Sequence, residues 1–145
     1  MKLVKEEEQD NPDAVYVPIL AVAVVTTRVR VVCDSSCKGK DGISINDLMM
    51  KGPVLQDDLR HLLMRWRKYV CCLVADITKM YLQIKVSEVD KDYQRLLWRP
   101  DLKSAVEAYR MLRVSFGSAS APYLAVRTLQ QVAHDEGDKY PEAKE

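Results

Sequence analysis

Val70-Cys71-Cys72-Leu73-Val74-Ala75-Asp76-Ile77-Thr78-Lys79-Met80-Tyr81 is the stretch on which the reading of this chain turns. Six consecutive apolar residues, rich in small and β-branched types, predict a strand buried on both faces of a sheet, and the run stops at a carboxylate. An Asp at the carboxyl end of a buried strand is a place for chemistry. If the chain turns after Asp76, the ring of Tyr81 lies over the space that the carboxylate faces, and a metal-bound substrate fits there. The plainer alternative is that Asp76 caps a helical turn beginning at Thr78, because short carboxylates are favoured at helix N-termini.

Outward from this stretch, 145 residues at 48% hydrophobic and 30% charged are enough for one core and too few for two domains. The longest apolar run, Val15 to Val25, is broken by Pro18 and falls short of the ~20 residues of a membrane span. Glu6-Glu7-Glu8 ahead of any hydrophobic segment does not resemble a signal peptide, which predicts an intracellular, cytoplasmic protein. The cysteines, Cys33, Cys37, Cys71 and Cys72, match neither a paired zinc spacing nor a secreted disulfide framework, so reduced, buried thiols are expected.

The net charge of +1 hides a pattern. Residues 1–13 and residues 134–145 each carry −3, which leaves about +7 on the body between them by difference. A basic body suits an anionic partner, and an ordinary solvated surface also accounts for such counts.

Residues 1–13 read as a flexible acidic leader, residues 14–134 as the domain, and residues 135–145 as an acidic tail that frays. Strands are expected at residues 15–25 and 28–33 with Thr26-Thr27 near the turn, followed by a Gly- and Lys-rich loop over residues 35–47. Pro53 opens a helix in which Leu55, Leu59, Leu62, Leu63 and Trp66 form one apolar stripe, while Arg60, Arg65, Arg67 and Lys68 make the other side basic. Asp57 and Asp58 fall in its first turn and are assigned to structure rather than to a metal. Beyond the central strand, residues 82–86 are expected to be extended, residues 93–98 and 109–115 to pair as a hairpin, and Pro122 to open a second helix with Leu124, Ala125, Thr128, Leu129 and Val132 on one face. The order predicts an α+β fold, two helices packed on one mixed or antiparallel sheet.

Several ordered motifs in this framework resemble the reverse transcriptase of BEL/Pao-type long-terminal-repeat retrotransposons, over most of the chain from Tyr16 to about Ala133. Arg28-Val29-Arg30-Val31-Val32-Cys33-Asp34-Ser35-Ser36 is similar to the fingers strand motif, with Cys33 where Phe is usual. Leu48 to Leu59 resembles the approach to the first palm helix, and Ala75-Asp76-Ile77-Thr78-Lys79-Met80-Tyr81-Leu82-Gln83-Ile84 resembles polymerase motif A. Asp92-Tyr93-Gln94-Arg95-Leu96-Leu97-Trp98-Arg99 belongs to the same set, and Ser115-Phe116-Gly117-Ser118-Ala119-Ser120-Ala121-Pro122 resembles motif B.

The resemblance implies part of the fingers and palm of a right-hand polymerase, an RNA-directed DNA polymerase whose partners are an RNA or DNA template-primer and deoxynucleoside triphosphates. It makes Asp76 the catalytic metal ligand with the Ile77 carbonyl beside it, Tyr81 the gate under the sugar, Arg30 the grip on the triphosphate, and Phe116 and Gly117 neighbours of nucleotide and template. A planar, permanently charged guanidinium suits the phosphate role. In-line transfer of this kind uses two Mg²⁺ about 3.5–4 Å apart, and the family's other carboxylates come from a Tyr-x-Asp-Asp hairpin that these 145 residues do not contain. Ile19-Leu20 stands where the family has a His-His pair, and Val24 where lysine is common. The resemblance with these departures points to a truncated or decayed copy, inactive alone. Two rivals are a non-enzymatic nucleic-acid-binding remnant that uses the basic residues 60–68, and a non-functional product of a degenerate element.

Overall fold

The computed structural model describes residues 1–23 and 29–140. It is a small mixed α+β domain with antiparallel sheets and a few helices. Strands β2 (Ile19–Ala23) and β3 (Val29–Cys33) pair antiparallel, with Ile19 opposite Cys33 and Val22 opposite Arg30. Three valines of five residues make β3 mainly β-branched, and Ile19 and Val22 do the same in part for β2, as a pleated surface favours. The expected turn at Thr26-Thr27, and with it Val24 and Arg28, lies outside the described residues.

A second sheet has three strands in the order β1 (Lys2–Leu3), β5 (Glu107–Arg110), β4 (Arg95–Trp98), all antiparallel. The hairpin expected from strands at 93–98 and 109–115 is present with other bounds: its first strand is shorter and its second is shifted back to Glu107–Arg110, with Leu96 opposite Tyr109. Residues 15–17 run along the free edge of β4: Arg95 N–H donates to Val15 O at 3.0 Å and Val17 N–H to Arg95 O at 2.8 Å.

The leader expected at residues 1–13 is not separate from the domain. Lys2 and Leu3 pair with Arg110 and Tyr109, and Val4, 2% exposed, is among the most buried side chains. Three residues are too few to show a period in the sequence, and only the open edge of β5 makes them a strand. The acidic tail is corrected in part as well. Helix α4 (Ala121–Glu136) runs on into a 3₁₀ turn at Gly137–Lys139, where Lys139 pairs with Glu136; residues 141–145 lie outside the described residues.

Three short helices precede α4: α1 (Ile45–Leu48), α2 (Leu59–Trp66) and α3 (Met80–Gln83). Helix α2 starts later than Pro53 predicts, because Asp58 is the cap and accepts from Arg60 N–H at 2.8 Å. Gly52, at φ +77°, instead passes beneath the Tyr123 ring of α4. Asp57 and Asp58, expected in the first turn, stand just before it and pair with Arg65 and Arg60. Of residues 82–86, expected to be extended, Leu82 and Gln83 close helix α3, and Lys85 is bridged in the manner of a strand, to Arg113.

The largest departure concerns the opening stretch. Val70 to Ala75 form no strand, and they are exposed, with Leu73 at 88% and Val74 at 79%. A doubly buried strand needs a partner on each side and a layer over each face. The described strands pair among themselves in two separate sheets, so none borders this run. Consequently the two helices do not share one sheet. Helix α2 leaves Leu59, Leu63 and Trp66 largely exposed, and α4 buries only Ala121 and Ala125. Among the described residues the core is correspondingly small: Val4, Val17, Leu96, Ala108, Val114, Ala121 and Ala125.

No disulfide forms, and only Cys33 is even half-buried; Cys37, Cys71 and Cys72 are exposed, against the expectation of buried thiols. No helix of the described residues is long and apolar enough to cross a membrane.

Candidate functional site

The residues 115–120 turn is the best-built part of the candidate site. Gly117 takes φ +102°, a conformation open to glycine, and a Cβ there would lie 2.3 Å from the carbonyl oxygen of Cys33 at the end of β3. Asn46 of α1 holds the turn from the other side. Its Nδ2 donates to Gly117 O and to Ser36 Oγ, each at 2.9 Å, and its Oδ1 accepts from Ala119 N–H at 2.8 Å. Asn46 is itself positioned by the capping box of α1, in which Ser44 Oγ accepts from Asp47 N–H and the Asp47 carboxylate accepts from Ser44 N–H.

Next to this clamp, Phe116 and Tyr81 meet with ring centroids 5.2 Å apart and planes tilted by 54°. Tyr81 reaches that position because Lys79 adopts a left-handed backbone, φ 52° and ψ 42°, which turns the chain sharply into α3. For a residue with a Cβ this conformation costs roughly 1–2 kcal/mol. The Phe116 ring stays 43% exposed, so one edge of the pair faces solvent. Such a ledge suits stacking under a flat or sugar-like group.

Of the residues singled out from the sequence, then, Tyr81, Phe116 and Gly117 come together. Asp76 and Arg30 are not joined to them by any hydrogen bond, ion pair or ring contact among the described residues. Asp76 is exposed and accepts no hydrogen bond from the described residues, so it does not cap the turn at Thr78. Ile77 is 43% exposed, and its carbonyl accepts from Met80 N–H at 3.2 Å, which leaves one lone pair for another donor or a cation. Arg30 is exposed on β3, where a guanidinium can reach a ligand but nothing pre-orients it. No group of three His, Cys, Asp or Glu side chains arranged to hold a metal ion occurs among the described residues, so any cation at Asp76 would draw its remaining ligands from water and substrate. On the basic side of α2, Arg60 and Arg65 are already neutralised by Asp58 and Asp57.

Two features lay outside the sequence reading. One is a charged network under β4 and β5. Arg95, fully buried, donates to Asp92 Oδ1 at 2.9 Å, Glu8 O at 2.7 Å and the Tyr16 hydroxyl at 3.3 Å. Arg110 bridges Asp92 and Glu8 at 2.5 and 2.8 Å. The Arg110 guanidinium, opposed by partial burial and helped by Arg95, holds the Asp92 carboxyl down at about 2. Asp92 and Arg95 fall within the 92–99 segment singled out above, but nothing in the sequence says that they face residues 8–16. The other is a cavity of about 1090 Å³ between α1, residues 84–94 and the start of α4, lined by Met49, Met50, Tyr93 and Tyr123 among others. No contiguous sequence signal marks it.

No protein-family model, curated protein or solved structure matches this chain.

Proposed function

We propose that this chain is a piece of the fingers and palm of a reverse transcriptase like those of BEL/Pao-type retrotransposons, in which Asp76 takes a substrate-bound Mg²⁺ and Tyr81 lies under the sugar of a nucleoside triphosphate. The observation that carries the reading is the ring contact between Tyr81 and Phe116. Both positions were assigned to the nucleotide from separate motifs far apart in sequence, and a chance likeness gives no reason for them to touch.

The division of labour follows from the side chains. Mg²⁺ dehydrates reluctantly and is commonly held by one or two carboxylates together with phosphate oxygens, so Asp76 acts on the metal only when triphosphate is present. Tyr81 and Phe116 offer an aromatic ledge to sugar and base. Gly117, without a side chain, lets a base or template strand approach the turn. Arg30 supplies a bidentate donor for phosphate. In the intact reaction the primer 3′-hydroxyl attacks the α-phosphorus, and pyrophosphate leaves.

The test uses Mn²⁺ in place of Mg²⁺ as a paramagnetic probe. In the presence of a deoxynucleoside triphosphate, Mn²⁺ should broaden the ring proton signals of Tyr81 and Phe116, and Asp76→Asn should remove most of that broadening. Equal broadening in the Asp76→Asn protein, or none with nucleotide present, would exclude this site.

A further inference from the structure

We infer that Lys68–Asp76 is a self-pairing strand, through which two copies of this chain associate antiparallel about Cys72. Val70 to Asp76 make no backbone–backbone hydrogen bond to any described residue, so a row of donors and acceptors is open along them. Lys68 and Tyr69 close the turn after α2, donating to Arg65 O and Trp66 O, and Cys72 Sγ donates to Trp66 O at 3.2 Å, three bonds that give way on pairing. The side chains are open too: Val70, Leu73 and Val74 are each 79% exposed or more, and Cys71, Cys72 and Asp76 are exposed. An uncharged, apolar run without Pro or Gly, presented in this way, is a template for strand pairing.

The charges at its ends choose the occupant and the register. Lys68 and Asp76, both exposed and in no ion pair among the described residues, flank the apolar run with opposite signs. Antiparallel pairing with Cys72 opposite Cys72 of the second copy puts Lys68 opposite the second copy's Asp76 at both ends. Val70 then faces Val74, and Cys71 faces Leu73. Because successive side chains alternate between faces, Lys68, Val70, Cys72, Val74 and Asp76 share one face, closed at each end by an ion pair. A shift of two residues loses both ion pairs and sets each charge against an uncharged residue. A two-stranded ribbon is marginal by itself. The exposed stripe of Leu59, Leu63 and Trp66 on α2, just upstream, adds the apolar area that an interface of roughly 1,200–2,000 Å² needs.

This inference goes beyond the nucleotide site and stands without it. Asp76 is common to both, but Tyr81 and Phe116 lie outside the paired stretch, and the readout is association.

Sedimentation velocity over a concentration series should show a monomer–dimer equilibrium. Lys68→Glu or Asp76→Lys, each setting like charges face to face twice per dimer, should weaken it about tenfold. The double variant Lys68→Glu/Asp76→Lys should restore it, which a folding defect would not do. In a Cys37→Ser/Cys71→Ser background, diamide should cross-link the dimer through Cys72. Two thiols become one disulfide, and the diamide takes up the two electrons and two protons. Opposed residues in an antiparallel pair stand about 4.5–5.5 Å apart at Cα, within reach of a disulfide. A monomer at every concentration would overturn the inference, as would single reversals without effect, failure of the double reversal to restore the dimer, or unlimited growth into fibrils. The first of these is also the result expected if a foreign chain is the true occupant of this strand.

Discussion

The rings of Tyr81 and Phe116 touch at 5.2 Å between centroids across the junction of α3 with the 115–120 turn. Each ring stands beside an unusual backbone conformation. Tyr81 follows a left-handed Lys79, and Phe116 precedes a glycine at positive φ. The contact thus ties the strained turn at Lys79 to the glycine turn at Gly117.

A double-mutant cycle measures that tie. Tyr81→Ala and Phe116→Ala should couple by about 0.5–1.5 kcal/mol in urea unfolding, the usual worth of a tilted aromatic pair. Additive effects would mean that the rings are neighbours without interacting.

Gly117→Ala should be far more damaging than its size implies. The added methyl meets Cys33 O and the backbone must leave φ +102°, so a loss of about 2–4 kcal/mol is expected, with Cys33 becoming reactive to thiol reagents as β3 separates from the turn. Unchanged thiol protection would show that the turn and β3 do not depend on each other.

Asp92 predicts the acid limb of the stability profile. Its carboxyl is depressed from 3.8 to about 2, so its contribution is fully present above the unfolded value and is lost as pH falls from about 4 towards 2. The shift corresponds to about 2 kcal/mol. Urea midpoints measured between pH 6 and pH 2 should therefore fall more steeply for the native protein than for Asp92→Asn over that window. Asp92→Asn should also cost about 3–5 kcal/mol at neutral pH, because buried Arg95 loses its carboxylate partner. A flat difference between the two profiles would remove Asp92 from the acid transition.

With Mg²⁺, a primed template and deoxynucleoside triphosphates, residues 1–145 should show no primer extension. One exposed carboxylate, Asp76, holds Mg²⁺ weakly, and Asp57 and Asp58 are committed to Arg65 and Arg60. Extension above background that Asp76→Asn abolishes would require a second source of metal ligands, such as a partner subunit.

Much of the local structure was legible in the residues themselves. Pro122 marked the start of α4, the β-branched runs marked β2 and β3, and the segment around Leu96 and Tyr109 announced a hairpin, because each of these signals acts within one or two turns or across one short connection. The α+β class followed from their order. What the sequence could not decide was which apolar run finds partners. Val70 to Ala75 has the composition of a central strand, but composition states only that burial would be favourable, whereas burial itself needs neighbours that the two sheets do not provide. Conversely, Lys2 to Val4 has almost no pattern and is packed because β5 offers an edge and Arg95 and Arg110 draw in Glu8 and the carbonyls beside it. The same division runs through the candidate site. Asp76, Arg30, Tyr81, Phe116 and Gly117 were named from motifs, but that Tyr81 and Phe116 meet while Asp76 stays in solvent depends on the turns at Lys79 and Gly117 and on the Asn46 clamp, non-local contacts that only the folded chain brings into being.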